Sequence, residues 1–98
     1  MPTVSLVVKL TAKPEMADEV ASFLAGALEL ANQEPGTPVW MALRTGADTF
    51  WIVDAFPSDA ERQVHLSGPI AEALFVNADR LLSAPPEVFA SDVLAIKG

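Results

Sequence analysis

Asp54 and His65 are the two side chains of this sequence best suited to moving a proton. Asp54 interrupts the apolar run TFWIVDAF at residues 49–56, and His65 is the only histidine. An acid inside an otherwise apolar strand must find a donor or give up its charge to desolvation. A carboxylate in that position is a usable proton acceptor near neutrality. The structural alternative is that Asp54 caps nearby backbone or pairs with Arg44 or Arg62. His65 follows Glu61 by one helical turn and lies near its helix C-terminus, where the carboxylate and the helix dipole both favour the charged imidazole. That suits a proton shuttle. A helical wheel, however, puts Ala60 and Val64 at the centre of the apolar face and His65 on its flank, as for an exposed or hydrogen-bonded surface histidine.

Other chemistries find little support. The chain has no cysteine, which removes disulfides, thiolate catalysis, iron-sulfur clusters and most structural zinc sites. With a single histidine, a metal site would rest mainly on carboxylates, and no metal or cofactor is expected. The five glycines are scattered singly, so no phosphate-cradling loop supports dinucleotide binding. Ser67 cannot form a nucleophile-base pair with His65 from so near a helical position, which disfavours a hydrolase. Tyrosine is absent, so no phenol of the protein can act as donor or radical relay.

Thirteen acidic against six basic residues give a net charge of −7. That charge repels phosphate backbones and anionic lipid, arguing against nucleic-acid and membrane partners. Its simplest role is to keep an apolar chain in solution. No run approaches the ~20 apolar residues of a membrane span. The opening MPTVSLVVKL alternates like a strand and lacks a basic leader, so a cytoplasmic location is expected.

The elements that must position Asp54 and His65 are legible in the spacing. Residues 3–10 form a β-branched run that ends before Pro14 and read as a first strand. Pro14 suits the first turn of a helix, with Glu15, Asp18 and Glu19 near its positive end. Met16, Val20, Phe23, Leu24, Ala27 and Ala31 recur at helical spacing as far as about Asn32, and Glu34-Pro35-Gly36 stops the helix. Residues 38–44 and 49–56 form two strands of a hairpin around Thr45-Gly46-Ala47-Asp48. A two-residue Gly46-Ala47 turn would pair Leu43 with Phe50 and Met41 with Ile52. A loop one residue longer would flip the earlier strand relative to the later one, whose own alternation of Phe50, Ile52, Asp54 and Phe56 survives either way. Ser58 and Glu61 have capping-box spacing. Gly68-Pro69 breaks that helix, and Pro69 restarts a helical piece through Phe75, followed by a further turn or two over residues 78–82. Asn32 and Asn77 then fall at helix ends, in capping roles. Pro85-Pro86 precedes a last strand over residues 87–96.

The order β-α-β-β-α-β predicts an α+β, ferredoxin-like fold, a four-stranded antiparallel sheet with helices on one face. At 98 residues and 51% hydrophobic content, a single domain over 1–98 is expected, with more apolar surface than so small a globule can hide. The strands are apolar at odd and even positions alike, so the face away from the helices should be covered by a second copy. A homodimer through the sheet faces follows.

Glu34-Pro35-Gly36-Thr37, the strand Trp40-Met41-Ala42-Leu43-Arg44, the Phe50, Ile52, Asp54, Phe56 alternation, His65-Leu66-Ser67-Gly68-Pro69 and Ala84-Pro85-Pro86 span nearly the whole chain. In type and order they resemble the antibiotic biosynthesis monooxygenase domain of the dimeric α/β-barrel group, which includes quinol monooxygenases. The resemblance implies a homodimer with an apolar pocket in each subunit between sheet and helices. It also implies oxygenation of phenols or quinols without metal or flavin, since an electron-rich phenolate can itself reduce oxygen once a base has deprotonated it. The chain departs from relatives whose pockets rely on Asn, Trp, Tyr and Arg: Phe56 stands where many carry tryptophan. Haem-degrading relatives match less well, because the first strand has Ser5 and the later helical stretch ends Phe75-Val76-Asn77.

The expectation is a cofactor-free monooxygenase acting on a small aromatic quinol- or phenol-like substrate. Asp54 and His65 are the candidate proton-transfer groups, and Phe23, Phe50, Phe56 and Phe75 the candidate pocket wall. The alternatives are a non-catalytic homodimeric domain that binds a small hydrophobic molecule, and an interaction dimer with no ligand.

Overall fold

The computed structural model describes residues 1–97. Strand β1 (Val4–Thr11) leads through a single 3-10 turn at Pro14–Met16 into helix α1 (Ala17–Asn32). The hairpin β2 (Val39–Arg44) and β3 (Thr49–Phe56) follows, then the helices α2 (Asp59–Leu66) and α3 (Pro69–Leu81), and last strand β4 (Glu87–Asp92). The strands form one antiparallel sheet in the order β2-β3-β1-β4. This is the ferredoxin-like α+β arrangement expected from the element order.

Alternation along β1 and β3 decides what faces the helices. Leu6, Val8 and Leu10 with Phe50, Ile52 and Phe56 form the buried sheet layer, against Val20 and Leu24 of α1 and Leu74 and Leu81 of α3. Each such side chain contributes about 1.5–3 kcal/mol on burial, a large share of the ~5–15 kcal/mol net stability of a domain. The core therefore anchors the one polar member of the β3 face, Asp54, in a fixed place.

The hairpin differs from the two-residue-turn register. Arg44 pairs with Phe50, Leu43 with Trp51, Ala42 with Ile52 and Trp40 with Asp54. The loop is the longer one because Thr45 N–H bonds Thr49 O at 3.0 Å, while the Arg44 guanidinium donates to the carbonyls of Gly46 and Ala47. The flip turns Trp40 and Ala42 toward the helices. Val39, Met41 and Leu43 share the outer face with Trp51 and Val53 by their pairing and alternation. Met41, Leu43 and Phe89 are exposed, so within one chain the outer face is an uncovered apolar surface.

Two further boundaries and one cap differ. Strand β4 ends at Asp92 rather than 96: Asp92 pairs with Val4, the first residue of β1, and one further bond, from Val93 N–H to Thr3 O, closes the ladder. Helix α3 runs unbroken to Leu81. Asn77 is interior to it and donates its side-chain amide to Ala73 O at 2.8 Å. Ser58 does stand at the α2 N-cap, but its hydroxyl donates to the Glu61 carboxylate and no backbone N–H bonds the Ser58 side chain. The capping box is only half formed. No helix among the described residues is long and apolar enough to cross a membrane.

Candidate functional site

Helix α2 turns its polar side inward. Val64, placed at the apolar centre by the helical wheel, is 70% exposed, whereas His65 is only 6% exposed. The inversion has a physical cause, because the inward side chains all find partners. Arg62, one turn before His65, donates to the carbonyls of Ser5 and Ser91, each at 3.2 Å, and to Asp59. It thereby ties α2 to β1 and β4. Both imidazole nitrogens of His65 meet carboxylates: Nδ1 lies 2.5 Å from Glu34 Oε1, and Nε2 lies 3.0 Å from Asp54 Oδ2.

Asp54 is fully buried on the helix-facing side of β3, where its Oδ1 accepts the Leu6 N–H at 3.3 Å. Its Oδ2 lies 3.0 Å from His65 Nε2 and meets no other donor. Oδ2 thus has one charged neighbour and keeps a free lone pair. Neither Arg44 nor Arg62 pairs with Asp54: Arg44 serves the hairpin loop and lies 3.8 Å from Asp18, and Arg62 is occupied as described. The partner of Asp54 is His65, so the two residues singled out in the sequence meet in one place.

Glu34 completes the arrangement. It belongs to the turn after α1, where Thr37 N–H bonds Glu34 O and the Thr37 hydroxyl donates to Glu34 Oε1 at 2.9 Å. That second bond orients the carboxylate toward His65. Glu34 Oε2 is buried without a partner. Gly68 lies beside it, and a Cβ there would sit 3.7 Å from Oε2 and 3.2 Å from the His65 carbonyl. In the sequence, Glu34 reads only as part of a helix-stopping Glu-Pro-Gly. Its one other signal is an acid held in a tight turn next to a hydroxyl, a pattern that does not reveal a histidine partner 31 positions later in the chain.

Burial works against charging His65, but the hydrogen bonds to Asp54 and Glu34 and the attraction of both carboxylates outweigh it and raise the imidazole pKa above its ordinary 6.5. The geometry agrees, since a neutral imidazole would point one ring lone pair at a carboxylate oxygen, whereas imidazolium donates on both sides. The Phe56 ring stands against the imidazole, with centroids 5.2 Å apart, and keeps water from that side. Such an acid-imidazole-acid chain can accept, hold and return a proton.

Two hollows meet at His65. An inner cavity of about 30 Å³ is lined by Leu6, Ile52, Asp54, His65, Leu74 and Phe75, among other apolar side chains. A second hollow, an open groove of about 480 Å³, is lined by Glu34, Gly36, Thr37, Glu61 and His65 among others. Of the four phenylalanines expected to form pocket wall, Phe75 alone lines the inner cavity, and it is 57% exposed. Phe75 also borders a groove of about 410 Å³ with Ala78, Leu82, Pro85 and Pro86. Phe56 backs the imidazole instead, Phe50 lies beside Ala21, Leu24 and Ala42 at a separate hollow, and Phe23 packs on the main core. Among the described residues no group of three or more His, Cys, Asp or Glu side chains is arranged to hold a metal ion.

No protein-family model and no curated protein matches the chain. Among solved structures it is similar to a protein of unknown function from Nitrosomonas europaea, with 49% identity over 99% of this chain and 94% of that one, and a TM-score of 0.97. A protein from Mycobacterium tuberculosis shares 13% identity over 98% of this chain and 99% of that one, at a TM-score of 0.86. An antibiotic biosynthesis monooxygenase shares 17% identity over 94% of this chain and 99% of that one, at a TM-score of 0.81. The last two similarities are similarities of fold.

Proposed function

The chain belongs to one family with the Nitrosomonas europaea protein of unknown function, and from that premise we propose that it is a homodimeric, cofactor-free monooxygenase of a small aromatic quinol- or phenol-like substrate. The observation that carries this reading is the Asp54 Oδ2 atom, buried with His65 as its one polar neighbour at the wall of an apolar cavity. Fold similarity to an antibiotic biosynthesis monooxygenase supports it.

In this reading the substrate supplies the electrons. Asp54 takes the proton of a phenolic or activated C–H group, and His65 stabilises the shifted charge. The resulting carbanion or phenolate reduces oxygen. One oxygen atom enters the substrate and the other leaves as water. The apolar lining of Leu6, Ile52 and Leu74 keeps bulk water from the anion, which strengthens each electrostatic contact it makes. Phe75 borders both the inner cavity and the larger groove beside it, so turning its ring aside admits a ring-sized substrate to Asp54. Two copies associate through the apolar outer face that carries Met41, Leu43 and Phe89, whose exposure supports a partner there.

Oxygen uptake with a panel of quinols and anthrones tests the activity. Uptake that depends on protein and falls by about 10²-fold or more in Asp54→Asn and His65→Gln is expected. Unchanged turnover in both variants refutes these roles. A second reading, a non-catalytic dimeric domain that binds a small hydrophobic molecule, is favoured by the apolar lining of the inner cavity, whose volume of about 30 Å³ would have to open toward the ~150 Å³ that holds a benzene. Saturable binding of the same aromatics with no oxygen uptake would select it.

A further inference from the structure

We propose that Glu34 is the proton outlet of the buried site, a positioning residue that exchanges protons between His65 Nδ1 and the open groove while Asp54 exchanges them with the inner cavity. The proposal rests on Asp54 and His65 being the proton-transfer groups. Three observations carry it. His65 lines both hollows, whereas Asp54 lines the inner cavity and Glu34 the groove. Each ring nitrogen has its own carboxylate, Nδ1 to Glu34 and Nε2 to Asp54. Glu34 Oε1 is held in line by the Thr37 hydroxyl, and its Oε2 has no partner and faces a position kept clear of side chain by Gly68.

The need for an outlet comes from burial, since Asp54 is fully enclosed and meets the groove only through His65 and Glu34. Two carboxylates and an imidazolium make a buried site of one net negative charge. When Asp54 Oδ2 gains the substrate's proton, the substrate X–H bond breaks and an O–H bond forms. If His65 then passes its Nδ1 proton to Glu34 Oε1, and Glu34 releases it into the groove, the site ends as carboxyl, neutral imidazole and carboxylate. Its net charge is again minus one. The three protein groups return to their starting charge, and the substrate anion adds one negative charge until it is protonated in its turn. The reverse sequence recharges His65 when Asp54 returns its proton.

The charged groups around His65 are few. Asp54 faces it from β3 and Glu34 from the turn after α1. Glu61 on α2 lines the same groove. Arg62 is engaged by Asp59 and the carbonyls of Ser5 and Ser91. Helix α3 presents only Ile70, Ala71, Leu74 and Phe75 to the cavity. Among these groups Glu34 is the contact of Nδ1.

Imidazole-labelled protein without substrate, followed by nitrogen NMR across pH, tests the outlet. Glu34→Gln is expected to lower the pH at which His65 loses its charge and to slow exchange of its Nδ1 proton with water by about 10²-fold. Thr37→Val, which leaves the carboxylate in reach, should change exchange by only a few-fold. Exchange unchanged in Glu34→Gln overturns the proposal even if the titration moves, because Glu34 then acts only as a fixed charge. Should Glu34→Gln not fold, Glu34→Asp, which withdraws the carboxylate from Nδ1, is read in the same way. A protein that consumes no oxygen yet shows this exchange would refute the monooxygenase reading and leave the outlet standing.

Discussion

Replacing Asp54 by asparagine isolates the charge in the buried chain from its shape. Asparagine keeps an Oδ1 acceptor for the Leu6 N–H and puts an NH₂ donor where Oδ2 stood. The imidazole Nε2 must then accept, so the variant holds its contact only with His65 neutral. A charge-assisted hydrogen bond is exchanged for a neutral one, at a cost of about 1–1.5 kcal/mol. The ~3–5 kcal/mol typical of a broken buried pair is too much here, because Glu34 still pairs with Nδ1 and His65 can release its proton. For a domain of this size the change corresponds to a fall of roughly 4–12 °C in Tm.

The effect has a signed pH dependence. The folded-state pKa of His65 is raised above its ordinary value. The stability that its charging contributes is therefore fully present below about pH 6.5, the unfolded-state value, and is lost as pH rises through the higher folded-state value. The wild type should lose stability upward from about pH 6.5. The asparagine variant should lose much less over that range, so its deficit is largest near pH 6 and shrinks near pH 9. Urea unfolding at fixed protein concentration, followed by Trp40 and Trp51 fluorescence, measures both curves. Equal deficits at the two pH values would refute the assignment of an imidazolium held between two carboxylates.

Phe75→Ala should join the inner cavity to its neighbouring groove and tighten binding of small aromatics by about 10-fold, read by calorimetry, at a stability cost of under ~1.5 kcal/mol because the ring is half exposed. Unchanged binding would mean that Phe75 does not separate the two spaces. Met41→Lys puts a like charge from each copy into an apolar interface and should convert a sedimenting dimer to monomer at micromolar concentration. A mass in solution that is the same for both proteins would refute the outer face as the interface.

Much of the fold is local and so readable from the chain. Period-two alternation set the inward face of β3 with Phe50, Ile52, Asp54 and Phe56, and Pro14, Pro69 and the Pro85-Pro86 pair marked where helices start or stop. The hairpin register was not readable, because the choice between loop lengths turned on Arg44 reaching the carbonyls of Gly46 and Ala47. Nor was the true face of α2. Its hydrophobic pattern favours Val64 inward, and what buries His65 instead is a pair of carboxylates brought from two other elements.

From the sequence alone, Asp54 had to share the apolar face of its strand and either find a donor or give up its charge, because alternation is a property of one strand and desolvation a property of one carboxylate. Which partner it has, and that Glu34 joins it, only the tertiary structure decided. Residues 34, 54 and 65 meet through packing of a turn, a strand and a helix, and the cost of burying each charge is offset only where all three converge.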